Sequence, residues 1–342
     1  MRAAVMTAYE QPLTIETVPD PACPPDGVVV AVRATGVCRS DWHGWMGHDP
    51  SIALPHVPGH ELSGVVAEVG SAVRGWEPGA RVTVPFCCGC GICEPCRLGE
   101  TQICERDFQP GFTAWGSFAE YVALPRADLN LVAVPDELGD VEAASLGCRF
   151  MTAWAALHVH GQVRAGEWVA VHGCGGVGLA AVMIATAAGA RVIAVDIDPA
   201  KLERARALGA EHAVAEEPVA AIRELTGGGA HVSIDALGLP VTCTNSIRSL
   251  RRRGRHVQVG LMLAEHAKPA VPMAKVIAFE LEIRGSHGMQ AFRYQPMMEM
   301  IAAGKLKPDL LVGNRLSLDE APAALMAMGK FEGIGIGVVT RF

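Results

Sequence analysis

At 342 residues the chain is long enough for two domains of ordinary size with a full hydrophobic core. Half of it is apolar and 19% is charged, with no low-complexity tract, which sets it apart from disordered chains. A net charge of −7 argues against a general binder of nucleic acid or acidic membranes, and neither is expected as a partner.

The opening residues MRAAVMTAYEQPL lack the long apolar core of a signal peptide. The longest apolar stretch, 177–190, is interrupted by Gly189 and is too short to span a bilayer. A cytoplasmic location follows as the expectation. In that reducing compartment the eleven cysteines are expected to be ligands or buried thiols rather than disulfides.

Up to about Pro135 the chain is rich in Val, Gly and Pro. Runs such as Val28-Val29-Val30-Ala31-Val32 and Val65-Val66-Ala67-Glu68-Val69 predict short strands closed by turns, hence a compact β domain with long loops. Two segments in it carry chemistry: Cys38-Arg39-Ser40-Asp41-Trp42-His43 and Gly59-His60-Glu61. A cysteine and a histidine are good zinc ligands, but two residues do not close a site, and a buried thiol beside a core imidazole is the plainer reading. Residues 87–104, CCGCGICEPCRLGETQIC, hold six cysteines in eighteen residues. A disulfide knot, a metal cage and an active site are all open readings of that stretch.

From about Gly166 the rhythm changes. Trp168–His172 reads as a strand, followed by a glycine-rich turn and a helix through Ala188. Arg191–Val195 is the next strand and Lys201–Leu208 the next helix, with further strands at His231–Asp235 and His256–Val259. This alternation predicts a doubly wound parallel sheet. The turn after its first strand is Gly173-Cys174-Gly175-Gly176-Val177-Gly178, a G-x-G-x-x-G, and Asp196 lies 21 residues after Gly175 at the end of the next strand. Missing side chains let backbone approach a pyrophosphate, and the helix N-terminus offers amides and positive dipole. Asp196 can accept from the adenosine ribose hydroxyls and would repel a 2′-phosphate, which favours NAD over NADP. The bland alternative is a glycine turn for close packing with an aspartate capping the loop. The basic run Arg251-Arg252-Arg253-Gly254-Arg255 reads as a solvated helix end. A last helix is expected at Tyr294–Ala303.

The C-R-S-D-x-H stretch, the G-H-E, the cysteine-rich stretch and the fingerprint stand in the order and spacing of one family. Over nearly its whole length the chain resembles the zinc-dependent medium-chain alcohol dehydrogenases. The resemblance implies an α/β protein: a GroES-like β-rich catalytic domain formed by 1–148 and 288–342, and a Rossmann NAD-binding domain at 149–287. It implies a catalytic zinc on Cys38, His60 and Cys148, and a structural zinc on Cys90, Cys93, Cys96 and Cys104, which fit a C-x2-C-x2-C-x7-C spacing in the lobe at about 87–104. Cys87 and Cys88 are left over as packing thiols.

By the same resemblance, Glu61 neighbours the metal as a transient ligand, and Asp41 orients His60. Ser40 and His43 form a proton relay to solvent. Arg39, Thr152, Gly173, Gly175, Gly176, Val177, Gly178, Asp196, Lys201 and Val259 contact the cofactor. Trp42, Phe86, Trp115 and Met262 fall in segments that line the substrate pocket. The chain departs from the family in two places. An arginine that many relatives carry near the C-terminus is missing, with Gly337 at the matching place, and Arg149 stands beside Cys148 where small residues are commoner.

The function implied is an NAD-dependent oxidoreductase that interconverts an alcohol and its aldehyde or ketone, with two zinc ions per chain. The compact length resembles the tetrameric microbial branch rather than the longer dimeric animal enzymes, with a dimer as the alternative. The runner-up is a polyol or amino-alcohol dehydrogenase of the same superfamily, against which Cys148 counts, since many of those use a carboxylate as third ligand. A zinc-free quinone reductase is a weaker rival because the ligand set is complete. The non-enzymatic alternative is a zinc-ribbon interaction module on a cofactor-binding protein.

Overall fold

The computed structural model describes residues 1–263, 266–330, 333 and 335–342. They form two compact units, Met1–Met151 with Gly288–Phe342, and Thr152–His287.

In the first unit the valine runs become strands of a seven-stranded sheet. Val28–Val37 is its hub, pairing with Glu61–Val69, Tyr121–Leu124 and Ile336–Arg341. Val312–Ser317 lies outside Ile336–Arg341, and Arg81–Thr83 and Val132–Ala133 extend the other side. Alternate residues of the hub, Val28, Val30 and Val32, turn one way and pack with Leu62, Val66, Val82, Val122 and Leu124. Val37, on the other face, joins a second cluster with Met6, Phe112, Phe118, Leu318 and Val339. The period of two places one hydrophobic set on each side of the sheet.

In the second unit six strands are all parallel, in the order His212–Val214, Arg191–Val195, Trp168–His172, Ala230–Asp235, Leu250–Gln258 and Glu282–Gly285. Trp168–His172 is buried along its whole length, as a central strand covered on both faces must be. The chain winds outward from it in both directions, so the switch point lies at its C-terminal end, where the glycine turn begins. Behind the sheet runs a buried polar chain. Ser233 Oγ lies 2.7 Å from Ser246 Oγ, which lies 2.8 Å from His256 Nδ1, and Ser249 Oγ is 3.5 Å from His172 Nε2.

The basic run is not a helix end. The helix Pro240–Arg248 stops before it, and Arg251, Arg252 and Arg253 belong to the strand Leu250–Gln258. The ladder passes from Ala230↔Leu250 directly to Val232↔Arg255, so the intervening residues bulge off the sheet and project the arginines into solvent. The last helix is Gln295–Ala302, preceded by a 3₁₀ turn at Ala291–Arg293. Among the described residues no helix is long and apolar enough to cross a membrane, and all eleven cysteines are free thiols.

Candidate active site

Cys38 ends the hub strand and caps the short helix Arg39–Trp45. The cap is built by the sequence itself: Asp41, three residues on, reaches back so that its Oδ2 accepts from Cys38 N at 3.0 Å. Its other oxygen, Oδ1, accepts from Gly59 N at 3.0 Å and faces His60 Nδ1 at 2.8 Å. One buried carboxylate thus ties the loop bearing Cys38 to the loop bearing His60. Gly59 is required between them. Its φ is +104°, and a Cβ there would stand 2.6 Å from the Phe118 ring and 2.7 Å from Ser117 Oγ.

With Nδ1 held by Asp41, His60 turns Nε2 inward. That nitrogen is buried and has no hydrogen-bond partner among the described residues, a costly state for a polar atom unless a ligand completes it. The ring is flanked edge-on by Phe86 at 6.2 Å and Phe112 at 5.3 Å. The third predicted ligand, Cys148, sits in one turn of π-helix, Leu146–Phe150, between Asp140–Ser145 and Met151–Ala155. Such a turn widens the helix and re-aims a side chain. Tyr294, fully buried, donates from its hydroxyl to Leu146 O at 3.2 Å and braces that turn.

The donor atoms of Cys38, His60, Glu61 and Cys148 all lie within 4.8 Å of one another. Contact with Cys148 pushes the Cys38 thiol well below its ordinary range, and the same contact pushes Cys148 well above it. Two thiolates so close repel one another, a repulsion that a divalent cation relieves. Two sulfurs, one unpartnered imidazole nitrogen and a dry aromatic surround therefore fit zinc. Glu61 is fully buried and paired with Arg149, whose Nε donates to Oε1 at 2.9 Å while Nη2 donates to Oε2. Burial pushes this carboxyl up to about 7, against the pull of the guanidinium.

The second sulfur cluster is separate. Cys90, Cys93, Cys96 and Cys104 also have donors within 4.8 Å of one another, and they form a buried cluster of their own. Around them Ile92, Leu98 and Ile103 are exposed, so the lobe has no apolar core and the sulfurs are its centre. Backbone amides point at them: Cys93 N to Cys90 Sγ at 3.3 Å, Cys90 N to Cys104 Sγ at 3.2 Å and Arg106 N to Cys104 Sγ at 3.3 Å. Amides aimed at sulfur favour the thiolate form, and four thiolates close a tetrahedral site. Cys87 and Cys88 stand apart: Cys88 packs in the strand core and Cys87 lies near Met289 O.

The remaining predicted residues are distributed as follows. Ser40 Oγ lies 3.9 Å from Cys38 Sγ. The half-buried His43 ring has its Nδ1 3.0 Å from Nδ1 of His48. Burial, with Arg39 and His48 adding to it, pushes His43 down to about 4, so it is neutral near pH 7. Arg39 stacks 4.3 Å over Trp42 and donates to Met328 O. Trp115 donates to Pro55 O and is partly exposed, whereas Met262 packs in the second unit against Cys243, Ile247 and Leu250. Phe112 and His48 were not singled out by sequence; neither belongs to a motif, and their ring contacts arise only on folding.

In the second unit Gly175 caps the twelve-residue helix Gly176–Ala187 without a side-chain bond, and a Cβ on it would meet nothing within 4 Å. Gly173 has φ +93°, and Gly178 packs on its carbonyl so closely that a Cβ would collide. Val177 lies between them in the first turn of that helix. The turn is therefore an open, uncapped helix N-terminus suited to a pyrophosphate. Asp196 Oδ2 accepts from Cys174 N at 2.7 Å and Oδ1 from Asp198 N at 3.0 Å, so the carboxylate is fixed at the end of Arg191–Val195. Lys201 lies 3.8 Å from Asp198, Val259 N donates to Asp235 O at 3.0 Å, and Thr152 is buried at the start of this unit.

Residues 24–136 match the alcohol dehydrogenase GroES-like domain, and residues 176–303 the zinc-binding dehydrogenase domain. An alcohol dehydrogenase of Geobacillus stearothermophilus is 34% identical over 338 residues, covering 97% of each chain. A Rhizobium etli protein named L-threonine 3-dehydrogenase is 31% identical over 96% of this chain and 95% of its own. Among solved structures, an NAD-dependent alcohol dehydrogenase superposes with a TM-score of 0.90 at 34% identity, covering 100% of both chains.

Proposed function

The chain belongs to the zinc-dependent medium-chain alcohol dehydrogenase family, and from that premise we propose that Cys38, His60 and Cys148 hold the zinc at which its alcohol substrate reacts. The enzyme is an oxidoreductase that interconverts an alcohol and its aldehyde or ketone with NAD. The observation that carries the site is the orphaned His60 Nε2 gathered with two sulfurs within 4.8 Å.

When bound, zinc favours the deprotonated alcohol and NAD accepts the hydride. The chain's own residues do the rest. Asp41 fixes the His60 tautomer and ring plane. Phe86 and Phe112 keep water from the imidazole. Ser40 takes the alcohol proton at Oγ, and His43, neutral near pH 7, receives it on the way to solvent. The amides after Gly175 hold the pyrophosphate, Asp196 the adenosine ribose, and Arg39, Thr152, Lys201 and Val259 complete the cofactor contacts. Cys90, Cys93, Cys96 and Cys104 hold a structural zinc. The assembly is a homotetramer, and five free thiols outside the two metal sites suit the cytoplasm.

The test is a panel of primary, secondary and amino alcohols, L-threonine included, assayed with NAD and NADP in parallel alongside zinc analysis. NADH formation and two zinc ions per chain are expected, with NADP much poorer. A preparation with full zinc and bound NAD that oxidises nothing in the panel would support the binding-module reading instead. Selective turnover of L-threonine would favour the amino-alcohol branch, to which the Rhizobium etli likeness points. Light scattering reads the oligomer.

A further inference from the structure

We infer that Arg149 is a positioning residue that holds the Glu61 carboxylate off the catalytic metal and so keeps the fourth metal position open for substrate. The inference rests on the reading of Cys38, His60 and Cys148 as the metal's ligands.

Glu61 directly follows His60, is fully buried, and has one carboxylate oxygen within 4.8 Å of the donor atoms of the other three. A carboxylate so placed has two destinations, the metal or an internal cation. Arg149, directly after Cys148 and 6% exposed, supplies the second. Its Nε and its backbone N both donate to Oε1, at 2.9 and 3.1 Å, and Nη2 donates to Oε2. Nη1 is anchored on Val37 O at 3.1 Å, at the end of the hub strand. Both carboxylate oxygens are engaged from the side of Arg149, and the guanidinium is itself fixed. A planar fork matched to a carboxylate does this as no single-point cation can.

The strand makes room for the pair. Gly36 faces Glu61 across the ladder. A Cβ on it would collide with Glu61 Oε2 and stand 2.8 Å from Arg149 Nη2. The charges also match when Glu61 is ionised: two thiolates balance a divalent cation, and Arg149 cancels Glu61, so the site is left without excess negative charge. A role confined to neutralising a buried acid would explain the pairing energy, but it predicts no change at the metal when the fork is lost.

The test uses holoenzyme with cobalt exchanged into the catalytic site, since the visible bands of cobalt shift when a carboxylate replaces solvent or substrate as the fourth ligand. Arg149→Met is expected to shift the visible bands, and Arg149→Met with Glu61→Gln to recover the wild-type spectrum. Glu61→Gln alone should leave the spectrum unchanged. An unchanged spectrum in folded Arg149→Met, or a changed one in Glu61→Gln, overturns the inference. If Arg149→Met does not accumulate, Arg149→Lys keeps the buried charge but frees one carboxylate oxygen; it should shift the spectrum in the same direction, and an unchanged spectrum there overturns the inference equally. Wild-type enzyme that takes cobalt only into the four-cysteine lobe would sink the ligand reading itself, and this inference with it. Two metals bound with no effect at Arg149 would sink the inference alone.

Discussion

Asp41 serves three donors with two oxygens: the Cys38 and Gly59 amides and the His60 ring. Replacing it by alanine strands two buried amides and frees the ring to rotate or change tautomer. Loss of such a partner typically weakens metal binding about 10- to 100-fold, and each unsatisfied amide costs about 1–3 kcal/mol. Asp41→Ala should therefore surrender its catalytic zinc to a chelator much faster than wild type, while the lobe zinc stays. Equal release rates would show that His60 does not depend on Asp41.

His43 is tested separately, because it touches no ligand. Its ring pairs with His48, so a relay through it would have two imidazoles in succession. His43→Gln should alter the pH–rate profile and make the rate respond to added buffer bases. A profile unchanged by the substitution, with no rescue by imidazole, would remove it from the relay.

At the scale of elements, the lobe at 87–104 is held by sulfur rather than by packing. It contains only the short helix Glu94–Arg97 and the 3₁₀ turn Thr101–Ile103, and its apolar side chains point outward. Cys104→Ser should bring zinc from two per chain to one and open the lobe to proteolysis within residues 91–104, read by mass spectrometry of the fragments. A variant that resists protease as wild type does would mean the lobe is stabilised by something other than metal.

Elements also show how far the sequence can be read. The parallel sheet and its glycine turn were legible because strand, turn, helix and Asp196 are local and ordered by spacing. The same locality misled at Arg251–Arg253: a basic run after a helical pattern resembles a helix end, and only the neighbouring strand's register turns it into a bulge. The proposed ligands Cys38, His60 and Cys148 were reachable by family likeness alone, since no periodicity links residues 110 apart. The Arg149–Glu61 pair was invisible. Nothing in the π-turn Leu146–Phe150 announces itself in composition, and the partner is 88 residues away. The strand holding Gly337, where the sequence lacks an expected arginine, pairs at Val37, the residue on which Arg149 anchors. The two departures from family pattern thus meet at one place on the hub strand.

For the whole molecule, stability should depend on the buried histidines behind the parallel sheet. Burial pushes His172 down to about 3 and His256 to about 4, from an ordinary 6.5. Between those values the unfolded chain binds protons that the folded chain refuses. Stability is therefore full above pH 6.5 and falls as pH drops toward 4, by about 1.4 kcal/mol per pH unit for each histidine. The urea midpoint should fall between about pH 7 and about pH 5, and His172→Asn with His256→Gln should flatten that dependence. An equally steep loss in the double variant would assign it to other groups.

The pairing of Ile336–Arg341 with Val28–Val37 has a consequence for biosynthesis. The second unit is continuous in sequence and can close its sheet once residue 287 has left the ribosome. The first unit cannot: Tyr121–Leu124 pairs with Val28–Ala31 of its hub strand early, but Thr35–Val37 wait unpaired on that side through some three hundred further residues of translation. An unpaired edge of that kind is a template for pairing with other chains. The nascent protein thus exposes that short edge while its cofactor-binding half can already be folded, until its closing strand arrives.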